Sequence, residues 1–225
     1  FLGNFSSEQS KEARINEKKY NREWFQKNAY QIIEVPDNLP FEGSAEVKYV
    51  KHGNSVDIIF GWGVRTKRES IAWIVDKIKE IVGEDARNIR FILAEVAHEE
   101  FYHLDITLKE IPIIKNGNIV GETIMYYPDA FSLCTQSMLK KYFPDAITVS
   151  RTDVFNFACN SPTIGKSIII NEHISPDLKN ELKNRGIKVL PIQLSEFYKA
   201  GGGAKCLILE LDEDIFSFSK KNNNK

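Results

Sequence analysis

Cys206 stands at a point of the chain where a reactive thiol could be displayed. It follows three consecutive glycines at positions 201–203 and begins an apolar run that is predicted to be a buried strand. Glycine lets backbone and ligand approach closely, so a cysteine at this junction could serve as a nucleophile in a pocket. Considered alone, however, the segment is better explained by a small core cysteine after a turn.

His103 and Asp105 are separated by one residue, at the predicted start of another strand. Side chains alternate along a strand, so both should point to the same face. An imidazole and a carboxylate that emerge together suit a general base beside a cation-binding acid. A hydrogen-bonded pair at the protein surface explains the two residues equally well.

Two further charged positions could complete such a site. Small residues at 43–45 let the chain turn tightly, which leaves Glu42 or Glu46 able to reach inward and orient an imidazole. The alternative is a solvated loop acid, the commoner situation for a single glutamate. Arg65 lies just beyond a predicted strand end, where it could bind a carboxylate through two hydrogen bonds, or remain an exposed arginine.

Composition excludes several classes of protein. The 225 residues carry a net charge of −1, which argues against nucleic acid or an anionic membrane as partner. Apolar runs are only as long as a strand, so no transmembrane helix is predicted. Three scattered cysteines are too few for a disulfide framework or a zinc site. We expect a reduced, cytoplasmic protein without metal or cofactor, a single domain over 1–225 that ends in a polar tail at 219–225.

A unit of strand, strand, helix and strand occurs three times, with a repeat of roughly fifty residues. The predicted elements are 46–51, 55–60, 67–82 and 89–94 in the first unit, 104–113, 119–127, 130–142 and 145–149 in the second, and 156–163, 167–171, 176–185 and 187–192 in the third. A helix and strand at 7–28 and 30–35 precede these units. A short helix at 194–199 and the Cys206 strand follow them, so incomplete units flank three whole ones.

Six motifs in order give the chain a specific resemblance that covers nearly its whole length. They are Glu42-Gly-Ser-Ala-Glu46, Gly63-Val-Arg-Thr66, Tyr102-His-Leu-Asp105, Tyr126-Tyr-Pro-Asp-Ala-Phe131, Phe157-Ala-Cys-Asn160 and Lys199-Ala-Gly-Gly-Gly-Ala-Lys-Cys206. Together they resemble the guanidino-group-modifying (pentein) superfamily of dimethylarginine dimethylaminohydrolases, arginine deiminases and amidinotransferases. The resemblance implies an α/β fold, a five-bladed propeller of ββαβ modules around a central site, here with an incomplete first module.

The resemblance also implies a role for each matching residue. Cys206 is similar to the family's nucleophile, His103 to its general acid and base, and Glu42 to the carboxylate partner of that histidine. Asp105 resembles a guanidinium-binding acid, and Arg65 matches the arginine that holds the α-carboxylate of the substrate.

The chain departs from the family pattern at three places. Glu46 occupies a position that is usually Asp, and no catalytic role is assigned to it. The family carries an upstream module with another guanidinium-binding Asp, and this chain starts after it. We therefore expect an upstream segment, either a removed piece or a second chain. A second carboxylate-binding arginine of some relatives is absent from the stretch 7–11.

The function implied is hydrolysis at the guanidino carbon of arginine or a derivative, through a covalent intermediate on Cys206 and without a cofactor. An amidinotransferase, in which an amine replaces water, is the nearest alternative, and a non-catalytic binding module is another. A binding module needs none of Cys206, His103, Asp105 and Glu42, so their joint presence favours an enzyme. The expected partners are a small guanidino substrate and either a second copy in a homodimer or a companion N-terminal segment.

Overall fold

The computed structural model describes residues 1–4 and 8–211, with side chains of the first helix described from Glu17 onward. This helix, α1, spans Glu8–Lys27. The predicted polar tail at 219–225 lies outside the described residues, and so do the side chains of the 7–11 stretch.

Within the described residues, three mixed sheets of three strands each form the body of this α/β protein. In each sheet an antiparallel hairpin is followed by a helix and by a third strand parallel to the second. The predicted threefold ββαβ repeat is therefore confirmed. The first sheet and its helix consist of β1 (Val47–His52), β2 (Ser55–Trp62), α2 (Arg68–Val82) and β3 (Ile89–Glu95).

The second and third units repeat this arrangement with shorter closing elements. The second consists of α3 (Leu104–Thr107), β4 (Leu108–Lys115), β5 (Asn118–Tyr126), α4 (Leu133–Tyr142) and β6 (Ile147–Thr148). The third consists of α5 (Arg151–Phe155), β7 (Thr163–Ile164), β8 (Ser167–Asn171), α6 (Pro176–Asn184) and β9 (Lys188–Ile192). The helix α7 (Ser195–Lys199) leads to the glycine loop.

Local sequence explains why these elements form. Helix α2 buries Ile71, Ile74 and Ile78, which recur every three or four residues, against the first sheet. The β4–β5 hairpin turns at Asn116 and Gly117, which both adopt positive φ (51° and 74°), as expected for the two central residues of a tight hairpin turn.

In the part of the chain that the structure describes, two apolar cores hold the units together. A smaller core lies between α2 and the first sheet, and a larger one is shared by the second and third units. The side chains of Val50 and Ile59 belong to the larger core, although they come from the first sheet. The first unit is thus packed against the second.

Several predicted strands are wrong in detail. Residues 30–35 form a single parallel bridge, between Leu2 and Glu34, in place of a strand. The segment predicted as the strand 104–113 begins with the helical turn α3, and residues 156–160 form a turn and a bend in place of a strand. Residues 205–207 form a 3₁₀ turn, and no residue from 208 to 211 lies in a strand. An apolar run becomes a strand only when a neighbour pairs with it, and among residues 1–4 and 8–211 none does.

The described part of the chain contains no helix that is both long and apolar enough to cross a membrane.

Candidate active site

Residues from five parts of the chain, within 1–4, 17–25, 41–45, 103–105 and 205–209, surround one cavity of about 430 Å³. We call this cavity the cleft and define it by Glu42, His103, Asp105, Lys205 and Cys206, which all line it. Four of the five predicted site residues are therefore brought together, although up to 164 positions separate them in the chain (Glu42 to Cys206). The fifth predicted residue, Arg65, is not among the residues that line the cleft.

His103 and Glu42 form a hydrogen-bonded pair. The imidazole Nε2 lies 2.8 Å from Oε2 of Glu42, whose side chain is only 3% exposed. Burial lowers the pKa of His103, but the hydrogen bond to Glu42 and the charges of Glu46 and Asp105 outweigh burial and raise it overall. The ring is thus stabilised as an imidazolium, which can donate a proton.

A tight turn and one hydroxyl position Glu42. Gly43 follows it with a φ of 68°, a conformation that favours glycine, and opens the 3₁₀ turn Gly43–Glu46. The backbone N–H of Glu42 donates to Oγ1 of Thr66, at 3.3 Å. The backbone before and after Glu42 is therefore constrained, and its carboxylate is held toward His103.

Arg65 contacts Glu42 from the other side. Its Nη1 lies 3.3 Å from Oε1 of Glu42, and its guanidinium stacks over the ring of Tyr102, with 5.3 Å between Cζ and the ring centroid. Because Oε2 of the same carboxylate faces His103, Glu42 lies between two cations when the imidazole is protonated. The side chain of Arg65 remains 29% exposed.

Asp105 carries an unsatisfied acceptor. The residue is 4% exposed, and its Oδ1 is buried without a hydrogen-bond partner in the described structure. Burial raises the pKa of Asp105 overall, and the charges of Lys48 and His103 offset only part of this rise. A buried carboxylate oxygen that lacks a donor is costly, so this position is suited to a cationic ligand that brings N–H groups.

Glu46, which the sequence offered as an alternative to Glu42 for an inward-pointing acid, is buried beside the cleft residues His103 and Asp105. It is 2% exposed, and its Oε2 accepts a hydrogen bond from the backbone N–H of Leu104, at 3.1 Å. Burial raises its pKa to about 7, against opposing effects of His103 and the Leu104 hydrogen bond. Glu46 therefore holds the segment between His103 and Asp105 in place. The small residues at 43–45 indicated that this side chain could reach inward, but not that it binds the Leu104 N–H.

The glycine loop presents Cys206 at the edge of the cleft. The thiol belongs to the 3₁₀ turn Lys205–Leu207, and Cys206 is exposed where the sequence favoured a buried residue. A Cβ added at Gly202 would lie 3.3 Å from Sγ of Cys206, so the loop folds back closely over the thiol. Although the residue is exposed, the thiol is partly shielded from solvent; this partial burial raises its pKa, and the charge of Asp105 raises it further.

Two more residues that sequence reasoning missed hold this loop. The hydroxyl of Tyr102 donates to the carbonyl of Gly201, at 2.5 Å. The side chain of Asn160 accepts hydrogen bonds from the backbone N–H groups of Gly203 and Cys206. Both residues lie within motifs that the sequence singled out, but motif position alone does not reveal what a side chain contacts.

The donor set does not resemble a metal centre. No group of three or more His, Cys, Asp or Glu side chains in the described structure is arranged to hold a metal ion.

Comparison with known proteins gives the chain its relatives. No family model matches it. It is 33% identical over 205 residues to the bifunctional arginine dihydrolase/ornithine cyclodeaminase ArgZ of Synechocystis sp., an alignment that covers 90% of this chain and 26% of ArgZ. It is 30% identical over 154 residues to the N(G),N(G)-dimethylarginine dimethylaminohydrolase of Mycobacterium tuberculosis, covering 68% of this chain and 45% of that protein.

A solved structure gives the same result for the fold. The chain superposes on the N-terminal domain of an ArgZ variant covalently bound to a reaction intermediate, with a TM-score of 0.78 and 30% identity. The match covers 94% of this chain and 70% of that domain. The chain thus spans about a quarter of the bifunctional relative but more than two thirds of its N-terminal domain.

Proposed function

This chain belongs to the guanidino-group-modifying (pentein) superfamily, and we propose that it hydrolyses the guanidino group of arginine or an arginine derivative through a covalent intermediate on Cys206. One observation carries the proposal. A cysteine, a hydrogen-bonded histidine–glutamate pair and an aspartate with an unsatisfied buried oxygen line the same cleft. The relatives named as an arginine dihydrolase and a dimethylarginine dimethylaminohydrolase agree with it.

Binding begins at Asp105. The planar guanidinium donates N–H groups to this carboxylate and supplies the partner that Oδ1 lacks. The bound cation also offsets the negative charge that raises the pKa of Cys206. Substrate binding and formation of the thiolate therefore favour each other.

Reaction proceeds in two steps that share His103. In the first, the thiolate of Cys206 attacks the guanidino carbon, an S–C bond forms, and the C–N bond to the departing amine breaks. The imidazolium of His103, stabilised by Glu42, gives its proton to that amine. In the second, His103 accepts a proton from water, the water oxygen bonds to the same carbon, and the C–S bond breaks to leave a ureido product.

Arg65 is proposed to hold the α-carboxylate of the substrate. Its partial exposure supports this role, because a cation that is not fully enclosed can still receive an anion. Its contact with Glu42 also places a positive charge next to the histidine pair. Arg65→Gln should raise KM for arginine more than KM for a guanidino compound without a carboxylate, as expected for a carboxylate clamp.

We further propose that 1–225 is one domain and that its three sheets are blades of a five-bladed propeller. Residues 207–211 would supply a strand to another blade, paired with a companion segment or a second copy. The exposure of Leu207, Ile208, Leu209 and Leu211, between 44% and 55%, supports this, because apolar side chains in a row usually have a partner.

The covalent step can be tested directly by mass spectrometry. The chain is mixed with arginine or with an N-methylated arginine, quenched in acid within milliseconds to seconds, and its intact mass is recorded. We expect an adduct whose peptide maps to Cys206. The matched control is Cys134→Ser, because Cys134 is also exposed but lies on α4, away from the cleft.

The variants separate the possible outcomes. Cys206→Ala should abolish both the adduct and ureido product, and Cys134→Ser should leave them unchanged. Undiminished turnover in Cys206→Ala would refute the mechanism. Product formation only in the presence of glycine or ornithine would identify a transferase, and absence of both substrate binding and thiol reactivity would favour a binding module.

A further inference from the structure

Asn160 lies at the point where the glycine loop meets the segment that carries Asp105. It ends the turn that follows α5, within the Phe157-Ala-Cys-Asn160 motif, and it is 1% exposed. Its backbone N–H donates to the carbonyl of Phe157, at 3.0 Å, and its own carbonyl accepts from the N–H of Lys205, at 3.2 Å. The main chain thus fixes Asn160 beside the thiol loop before its side chain is considered.

The carboxamide connects two parts of the proposed site. Its Oδ1 accepts hydrogen bonds from the backbone N–H groups of Gly203 (3.0 Å) and Cys206 (3.3 Å). Its Nδ2 donates to the backbone carbonyl of Asp105, at 3.3 Å. Two N–H donors on one side and a carbonyl acceptor on the other determine which way the amide points. One buried side chain therefore binds the backbone of both the thiol residue and the acidic residue.

Packing around the amide is too close for a larger loop residue. A Cβ added at Gly203 would lie 2.9 Å from Oδ1 of Asn160 and 3.2 Å from Cβ of Phe157. The third glycine of the loop is thus required so that its backbone can reach the carboxamide. This gives Gly203 a role that differs from access of the substrate to the thiol.

We propose that Asn160 is a positioning residue that sets the separation between the Cys206 thiol and the Asp105 carboxylate. The inference rests on the proposed function, because that separation matters only if a guanidinium bound to Asp105 is attacked by Cys206. Attack requires reacting atoms about 3–3.5 Å apart, and a displacement of about 1 Å can cost roughly a hundredfold in rate. A single amide that holds both partners controls this distance directly.

The same contacts influence the thiol. Burial and the charge of Asp105 raise the pKa of Cys206 overall. Hydrogen bonds from the Gly203 backbone and from Asn160 act in the opposite direction and limit this rise. A carboxylate in place of the amide can still accept hydrogen bonds from the N–H groups of Gly203 and Cys206. It cannot donate to the carbonyl of Asp105, and it adds a negative charge. Asn160→Asp should therefore raise the pKa of the thiol, although its shape is conserved.

Alkylation of Cys206 by iodoacetamide across a range of pH tests this without requiring turnover. The variants are made in a Cys134→Ser background, since Cys134 is the other exposed cysteine and Cys159 is buried. We expect Asn160→Asp to slow alkylation at pH 8 by about tenfold. This corresponds to a rise of about one pH unit in the midpoint of the curve of alkylation rate against pH. Both profiles should reach the same plateau at high pH, because the loop bonds are retained.

Asn171→Ala is the matched control for Asn160→Ala. Asn171 is 3% exposed, donates to the Asn156 carbonyl at 2.9 Å and accepts from the His173 N–H at 3.0 Å. It joins two backbone segments as Asn160 does, but it does not line the cleft. With turnover of arginine as the readout, we expect kcat to fall ten- to a hundredfold in Asn160→Ala and less than twofold in Asn171→Ala.

The outcomes distinguish the two proposals. If the wild-type chain alkylates normally but turns over no guanidino compound, the proposed function fails, and the alkylation profile of Asn160→Asp still decides whether the amide controls the thiol. An Asn160→Asp profile identical to wild type would overturn the inference. Equal losses of kcat in the Asn160→Ala and Asn171→Ala variants would overturn it as well, since they would show a purely structural contribution.

Discussion

Replacing Glu46 by Gln should make the protein more stable at neutral pH and leave it unchanged at acid pH. Glu46 is almost fully buried, and burial raises its pKa from 4.5 to about 7. Its carboxyl accepts one hydrogen bond, from the N–H of Leu104. Gln can accept the same bond through its carbonyl oxygen but carries no charge. The substitution therefore isolates the cost of ionising this buried acid.

The magnitude follows from the difference between the two pKa values. A rise of about 2.5 pH units corresponds to about 3 kcal/mol, at 1.36 kcal/mol per unit. Because the pKa of Glu46 is higher in the folded state, its contribution to stability is present below pH 4.5 and is lost as pH rises through about 7. The pKa of His103 depends partly on the charge of Glu46, so part of the gain in Glu46→Gln is offset.

Urea unfolding at pH 4.5, 6 and 7.5 measures this effect. We expect the free energy of unfolding of Glu46→Gln to exceed that of wild type by up to about 3 kcal/mol at pH 7.5, and by almost nothing at pH 4.5. Glu80→Gln is the control, because Glu80 is 62% exposed and forms a surface pair with Lys77. A difference between Glu46→Gln and wild type that does not vary with pH would refute the reasoning.

Three further substitutions test the support around the cleft. Glu42→Gln should lower the pKa of His103, observed by NMR titration of its ring, because the hydrogen bond at 2.8 Å loses its charged acceptor. Tyr102→Phe should cost about 1 kcal/mol in unfolding free energy and reduce kcat, because the hydroxyl no longer holds the carbonyl of Gly201. Gly61→Ala should lower the free energy of unfolding, measured by urea titration, by about 1–3 kcal/mol. The reason is that a Cβ there would lie 2.5 Å from Oε2 of Glu46.

Each of these substitutions has a control in the same chain. Glu100→Gln changes a surface acid and should leave the titration of His103 unchanged. Tyr198→Phe retains the ring that stacks on Phe157 and should preserve kcat. Gly121→Ala adds a Cβ at an ordinary 3.5 Å from the nearest atom, so it should cost less than the Gly61 change. If a control substitution has the same effect as the substitution it is paired with, the contact proposed for the latter does not explain that effect.

The repeated units were predictable because their information is local. The Asn116-Gly117 turn and the apolar face of α2 are patterns within a few residues, and they lead to a hairpin and a helix wherever they occur. The strand after Cys206 was not predictable in the same way. Its apolar alternation is a strand pattern, but a strand needs a neighbour, and the described residues provide none at 208–211.

The site shows the same division between local and distant information. Residue type and motif pointed to Cys206 and His103, and both line the cleft. The contacts of Glu46 and Asn160 were not predicted, because their partners lie 58 and 55 residues away along the chain, at Leu104 and Asp105. No pattern within a short window distinguishes a buried glutamate that binds a distant N–H from a solvated one.

The charges behind Asp105 explain how a buried acid can serve a cation. Burial raises the pKa of Asp105 overall and favours the neutral acid, whereas the charges of Lys48, His103 and Lys205 limit this rise and favour the carboxylate. Both lysines are nearly buried, at 2% and 6% exposure, so their charges are weakly screened by solvent. A guanidinium that donates N–H groups to the unsatisfied Oδ1 would favour the carboxylate further. A neutral urea, which the proposed reaction produces, carries no such charge, so we expect the proposed site to bind the substrate more tightly than the product.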